Sequence, residues 1–328
     1  MPFSWLTAPR PLVCLAPMAG VTDASYRRFI KKLAPETILY SEFLCTDALA
    51  YGGKKTMEMM HFDPALERPF IVQVFGKRPE HFVEAAKVIE QMGADGIDIN
   101  MGCPAAKVVS SAHGSALMKN PDLAAELVAR TVQAVSIPVS VKTRLGWDTA
   151  ETLVPFCRRL VEAGAAALAV HGRRYCDKFT GAADWEPIYE LKKQVSVPVI
   201  GNGDIKSGAD AVAKIGNLDG VMVGRATFGN PWVMKEVCDA LCSLTPNPSP
   251  IGGGGRPRTF AETIPFILEH CALAAEVKGE KRGMMEMRRH LASYVKGFQG
   301  AAELRAKLVR VESIAEVEDI LRTVAGSV

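Results

Sequence analysis

"QMGADGIDI" at 91–99 and "EAGAAALAV" at 162–170 have the same construction. Each starts as the end of an amphipathic helix, turns on a glycine (Gly93, Gly164) and runs at once into an apolar segment. Glycine at the residue after a helix tolerates the left-handed backbone that closes the last turn, so the pattern spells helix, stop, strand. Working outward, β-rich runs recur at Val13–Ala16, Ile38–Glu42, Phe70–Phe75, Gly96–Asn100, Val139–Thr143, Ala167–His171, Val199–Gly201 and Gly220–Val223. Two of them are entered through the same V-S-x-P-V phrase, at 135–139 and 195–199, where a proline fits the start of a strand. Helical spacing fills the gaps at Pro79–Met92, Pro121–Val135, Glu151–Ala163 and Ala209–Ile215. Eight strands alternating with helices over roughly 240 residues predict a (β/α)8 TIM barrel. A doubly wound sheet is the alternative, but "VCLAPMAGVTD" at 13–23 lacks the G-x-G-x-x-G that would open its first helix.

The composition sets bounds. The chain has 328 residues, 48% hydrophobic and 23% charged, which suits one large domain and a small one. A net charge of +3 is too small to imply nucleic-acid binding unless it is clustered. The eight cysteines include no C-x2-C pair, so neither a metal site nor a disulfide framework is expected. No signal peptide and no membrane-length apolar run is visible, so the expected location is cytoplasmic, without a membrane. "TPNPSPIGGGGRPRTF" at 245–260 has linker composition. It divides the expected layout into a barrel at 1–243, a linker or loop at 244–258 and an all-helical unit at 259–328. Ala261–Val277, Met284–Phe298 and Ile314–Val324 are that unit's helices. From Lys278 to Arg310 nine Lys or Arg stand against three Glu, the clustering that the net charge hides.

Catalytic groups of such barrels sit at the C-terminal ends of the strands. Here those ends carry Pro17, Met18 and Ala19, then Glu42, Gln73, Asn100 with Cys103, Lys142 with Arg144, His171 with Arg173, Asn202-Gly203-Asp204, and Gly224-Arg225. Lys, His, Arg, Gln and Cys are poor turn formers, so this set reads as chemistry. A glycine ends each of the last two strands, where backbone can approach a phosphate and Arg225 can add a charge-assisted contact. Either motif alone would be an ordinary turn. A phosphate site with Lys142 on the fifth strand suggests a flavin mononucleotide whose anionic reduced ring the lysine would stabilise. Lone histidines are commonly core residues, and no second histidine falls at a neighbouring strand end, so no metal is expected at His171. Cys14 and Cys157 read as packing thiols; Cys103, pinned between Gly102 and Pro104 where a strand leaves the core, does not.

"APMAGVTD", "VQVFG", "DINMGCPAAKV", "GSALM", "VKTRLGW", "HGRR", "GNGDI", "GRATFGNPW" and, near the C-terminus, "GEKRGMMEMRRHLASYVKGF" occur in that order. Together they resemble the tRNA-dihydrouridine synthases, most closely the bacterial B-type branch, over nearly the whole chain. Two positions depart from the family's habit, Arg174 after "HGR" and His113 before "GSAL". The resemblance implies an FMN enzyme that reduces the C5=C6 bond of a D-loop uridine in tRNA, position 17 favoured, with NADPH or NADH as reductant. It implies that Pro17, Met18 and Ala19 line the flavin, that Gln73, Lys142 and His171 meet its ring, and that Asn202, Gly203, Asp204, Gly224 and Arg225 hold its ribityl phosphate. Cys103 matches the catalytic cysteine, while Asn100, Arg144 and Arg173 are candidates for the substrate and Arg288 and Arg289 for tRNA phosphates. Hydride would reach uracil C6, leaving C5 in need of a proton. An ordinary thiol, titrating near ~8.5, is still protonated at neutral pH and can supply it. The partner implied is tRNA, whose stacked uridine must be extruded into the pocket; no obligate protein partner is implied, and the chain is expected to be monomeric. A flavin oxidoreductase for a small pyrimidine, or a tRNA-binding protein that no longer uses its barrel, are the rival expectations.

Overall fold

The computed structural model describes residues 3–243 and 258–325; the expected linker at 244–258 therefore lies outside the described residues except for Arg258. Nine strands form one parallel sheet: β1 (Leu12–Leu15), β2 (Leu39–Tyr40), β3 (Leu44–Cys45), β4 (Phe70–Phe75), β5 (Gly96–Asn100), β6 (Val139–Arg144), β7 (Ala167–His171), β8 (Val199–Asn202) and β9 (Gly220–Val223). Their order is β1-β9-β8-β7-β6-β5-β4-β2, with β3 also on β4. The ring closes where Ile38 bridges Cys14, its N–H donating to the Val13 carbonyl at 2.9 Å and its carbonyl accepting from Leu15 at 3.0 Å. This is the eight-stranded (β/α)8 barrel. Its second strand is split: Tyr40 pairs with Ile71 and Leu44 with Val74, four residues against three. The extra residue is a bulge, which turns Glu42 out of the ladder toward the N–H of Gly20.

Alternation along each strand decides what faces the barrel axis. Val13 and Leu15 pack outward under the helices, whereas Leu12, Cys14 and Ala16 join the interior cluster with Tyr40, Ile71, Ala167, Ala169, Ile200 and Met222. The same parity continues up the strands. Ile97, Ile99, Val139 and Val141 are in the outer layer. Asp98, Asn100, Ser140, Lys142 and Arg144 therefore point inward, and so does His171, two residues beyond Ala169. The inner layer changes from apolar to polar toward the C-terminal end of the barrel.

Residues 260–325 are helical and have a separate apolar cluster built on Ile267, Met284, Met287, Leu291, Leu304, Leu308, Val317 and Leu321. Helix Phe260–Lys278 opens with a capping box between Thr259 and Glu262. Gly279, at φ +79, separates it from helix Glu280–Tyr294, which starts four residues earlier and ends four earlier than the spacing suggested. A short helix, Ala301–Leu308, is not anticipated from the sequence, because its eight residues give too few turns for apolar spacing to register. This part rests on the barrel's first helix, Ala24–Leu33, through Phe29 stacked on His270 and ion pairs Arg28–Glu276 and Lys32–Glu269.

Candidate active site

A cavity of about 1690 Å³ opens over the polar end of the barrel. Pro17, Met18, Ala19, Gln73, Asn100, Cys103, Lys142, Arg144, His171, Arg173, Asn202, Gly203, Asp204, Gly224 and Arg225 all line it. Of the strand-end residues singled out from the sequence Glu42 alone does not, because its carboxylate is turned to the Gly20 N–H. Arg288 and Arg289 do not. Arg288 donates to the carbonyls of Val311 and Arg310 at 3.0 and 2.9 Å, and Arg289 to that of Gly20 at 3.0 Å. The second contact ties the helical part to the loop after β1 that forms one wall of the cavity.

The floor is a chain of side-chain amides. Asn100 accepts the N–H groups of Gly102 and Cys103 on Oδ1, at 3.1 and 2.9 Å, which folds the strand end into a tight turn. Its Nδ2 donates to Gln73 Oε1 at 2.8 Å, and Gln73 Nε2 donates to Asp98 at 2.6 Å. A Cβ at Gly102 would sit 3.2 Å from the Thr143 carbonyl carbon, a tight approach that the neighbouring backbone would have to yield to admit. Arg144 holds the turn from the other side, donating to the carbonyls of Gly102, Arg174 and Lys178 at 2.8, 3.1 and 2.7 Å. Cys103 thus stands half-buried on a braced turn at the cavity wall.

The other wall is cationic. Lys142 is a half-buried lysine whose Nζ donates to Asn202 at 3.2 Å. Burial and the nearby Arg144 pull its pKa down to about 8, against the opposing pull of Asp98. Burial, then Lys142 and the arginines, drive His171 down to about 2, so it is a neutral imidazole. Its Nε2 lies 3.3 Å from Arg173 Nη1; accepting there, the ring carries its proton on Nδ1. Arg173 is itself committed, donating to both oxygens of Asp204 at 2.9 and 2.6 Å and to the carbonyls of Thr180 and Gly181. Burial works against the Asp204 carboxylate, yet Arg173, the Ala183 N–H and Arg225 hold its pKa below the usual range. Gly203 at φ +129 and Asp204 at φ +50 make the sharp turn that brings this pair to the cavity. Arg225 is the most exposed cation of the set, 58% exposed, 3.5 Å from Asp204 and over the ring of Phe179.

The residues fit a flavin phosphate. An exposed guanidinium stands at one end of the cavity beside the glycine turns, and a half-buried ammonium with one neutral hydrogen-bond acceptor stands deeper inside. Sequence reading missed Asp98, Ser140 and Phe179. Asp98 had a signal, a carboxylate inside an otherwise apolar strand; Phe179, in the loop after β7, had none. Among the described residues no cluster of His, Cys, Asp or Glu could hold a metal ion, and no helix is long and apolar enough to cross a membrane.

Residues 14–327 match the dihydrouridine synthase (Dus) family. A probable tRNA-dihydrouridine synthase 1 of Synechocystis is 38% identical over 312 residues, 94% of this chain and 85% of that protein. The tRNA-dihydrouridine synthase B of Xanthomonas campestris is 38% identical over 309 residues, covering 92% and 89%. The probable tRNA-dihydrouridine synthase of Rickettsia bellii is 35% identical over 94% and 92%. Among solved structures, a 6-hydroxypseudooxynicotine amine oxidase from Pseudomonas geniculata superposes with TM-score 0.51 at 15% identity over 70% of this chain and 47% of its own, a likeness of fold alone. With the family matched along nearly its whole length, the chain belongs to the dihydrouridine synthases.

Proposed function

We propose that the cavity holds FMN and that the enzyme reduces the C5=C6 bond of a D-loop uridine in tRNA, position 17 favoured, with NADPH as the electron source. The observation that carries this reading is that a half-buried lysine on one strand and a thiol on the braced turn after the neighbouring strand face one cavity over a polar inner layer. FMN, once reduced, supplies the hydride that reaches uracil C6. Everything else falls to the chain. Lys142 presents a cation to the electron-rich ring, Gln73 and His171 orient it, and the backbone at Pro17, Met18 and Ala19 lies along it. Gly224, Arg225 and the Asn202-Gly203-Asp204 turn receive the phosphate end. Cys103 gives its Sγ proton to C5, on a turn that Asn100 and Arg144 hold in place. Arg144 and Asn100 keep spare N–H groups for the uracil. Arg173, the third candidate for the substrate, has its guanidinium committed to His171 and Asp204 and braces these two flavin contacts.

The extruded uridine leaves its tRNA outside the cavity, so phosphate contacts fall to the surface beyond it. We assign Arg288 and Arg289 to that surface, with Arg289 close enough to the loop after β1 to relay contact to the flavin wall. Mapping dihydrouridine in tRNA from a strain lacking this gene tests the assignment. Loss at position 17, restored by the intact gene, is the expected result. An unchanged dihydrouridine map would overturn it, and loss at another position would move the substrate site.

A further inference from the structure

We propose that Asp98 is a positioning residue for the reaction: it is the terminal acceptor that fixes the polarity of the Gln73–Asn100 amide chain and, through it, the turn carrying Cys103. An amide side chain can be inserted either way round, and each link in this chain removes that freedom from the next. The N–H groups of Gly102 and Cys103 can only donate, so Asn100 must turn Oδ1 to them and Nδ2 to Gln73. Gln73 must then turn Oε1 to Asn100, which leaves Nε2 pointing at position 98. An ionised carboxylate there only accepts. Asp98 takes Gln73 Nε2 on Oδ2 at 2.6 Å and the Ser140 hydroxyl on Oδ1 at 2.7 Å.

Three neighbouring strands put these groups in line. Gln73 on β4, Asp98 on β5 and Ser140 on β6 are register partners, and all three are fully buried in the inner layer. A carboxylate is costly in such a place, and burial pushes the Asp98 carboxyl up to about 6 despite Gln73, Ser140 and Lys142. The titratable groups facing it are Lys142 on β6, Cys14 on β1 and Tyr40 on β2, and of these only the lysine favours its charge. A hydrophobic residue would fill the layer without that cost. What it could not do is accept from Gln73.

Two substitutions separate this role from the charge. Asp98→Asn and Asp98→Ala both remove the carboxylate opposite Lys142, but only the first keeps an oxygen for Gln73 to donate to. The readout is the rate at which iodoacetamide alkylates Cys103, resolved peptide by peptide, with the exposed Cys176 as internal reference. Losing a buried charge-assisted hydrogen bond predicts a rise of about 10-fold at Cys103 in Asp98→Ala, and little change in Asp98→Asn or at Cys176 in either. Gln73→Met, which cuts the chain one link nearer the turn, must reproduce the rise even if Asp98→Ala does not fold. Hydrogen exchange in the peptide spanning 99–110 should accelerate in the same variants, and kcat for dihydrouridine should fall with KM for tRNA unchanged. No rise in Gln73→Met, an equal rise in Asp98→Asn, or a rise shared by Cys176 would overturn the proposal. It rests on Cys103 as the proton donor only for its catalytic consequence. Alkylation needs neither flavin nor tRNA, so an active Cys103→Ala enzyme would remove that reading and leave this one to stand on its own data.

Discussion

Lys142 is a cation that the barrel makes easy to discharge. Burial and Arg144 bring its pKa from the usual lysine range to about 8, so in the empty site it loses its proton as pH rises through about 8. If its charge favours the reduced ring, the rate of flavin bleaching by NADPH should fall in alkali, at or above that pH, because an anionic ring beside the ammonium raises its pKa. Cys103 has no part in that half-reaction, so a Cys103→Ala enzyme should show the same alkaline limb. Lys142→Arg should move the limb upward by more than about one pH unit, since a guanidinium keeps its charge to pH 12 or beyond. A limb that stays put in Lys142→Arg would assign it to another group. At this scale the sequence was legible wherever strand-end chemistry was unusual: Lys142, His171, Asn100 and Cys103 all reach the cavity. What it hid was partnership. Arg173 and Asp204 looked like separate ligand contacts, and their bidentate ion pair joins residues 31 positions apart. Nothing local to either residue announces such a contact.

The strand-to-helix turns are the elements proposed to receive the flavin phosphate. Gly203 and Asp204 hold left-handed backbone in succession, and Arg225 leans across to Asp204 with more than half of its side chain in solvent. A partly exposed guanidinium is expected to contribute about 1–3 kcal/mol to a phosphate contact. Arg225→Ala should therefore raise the dissociation constant of FMN by about 10- to 100-fold, measured by flavin fluorescence. Retention equal to the wild type would place the phosphate elsewhere. Most elements were readable because two periods do not overlap: alternating strands and helices ending in glycine leave few alternatives. The bulge between β2 and β3 was not. Ile38–Glu42 reads as one strand, and the extra residue appears only when both halves are counted against β4. The Ala301–Leu308 helix was lost for a similar reason, because its eight residues give too few turns for periodicity to register.

The whole molecule joins a flavin-type cavity to a basic helical part, and the joint runs through the loop after β1. Asp23 caps helix Ala24–Leu33 and pairs with Lys278 at 2.5 Å, while Arg289 holds the carbonyl of Gly20. The two neighbouring arginines should separate on mutation. Arg288 closes its own helical part through Arg310 and Val311, so Arg288→Ala should cost stability, about 1–2 kcal/mol in a denaturant titration. Arg289 is exposed, and Arg289→Ala should weaken tRNA binding across sequences and lower the salt slope by about one. An unchanged slope in a folded Arg289→Ala protein would put the RNA on a different face. The account as a whole turns on Cys103, and the most direct measurement is single-turnover reduction of unmodified tRNA by the pre-reduced Cys103→Ala enzyme. Flavin binding and oxidation of NADPH should survive, because neither needs the thiol. Dihydrouridine formation should fall by roughly 10²–10⁴-fold, the usual worth of a positioned general acid. Product appearing at the wild-type rate would contradict the account.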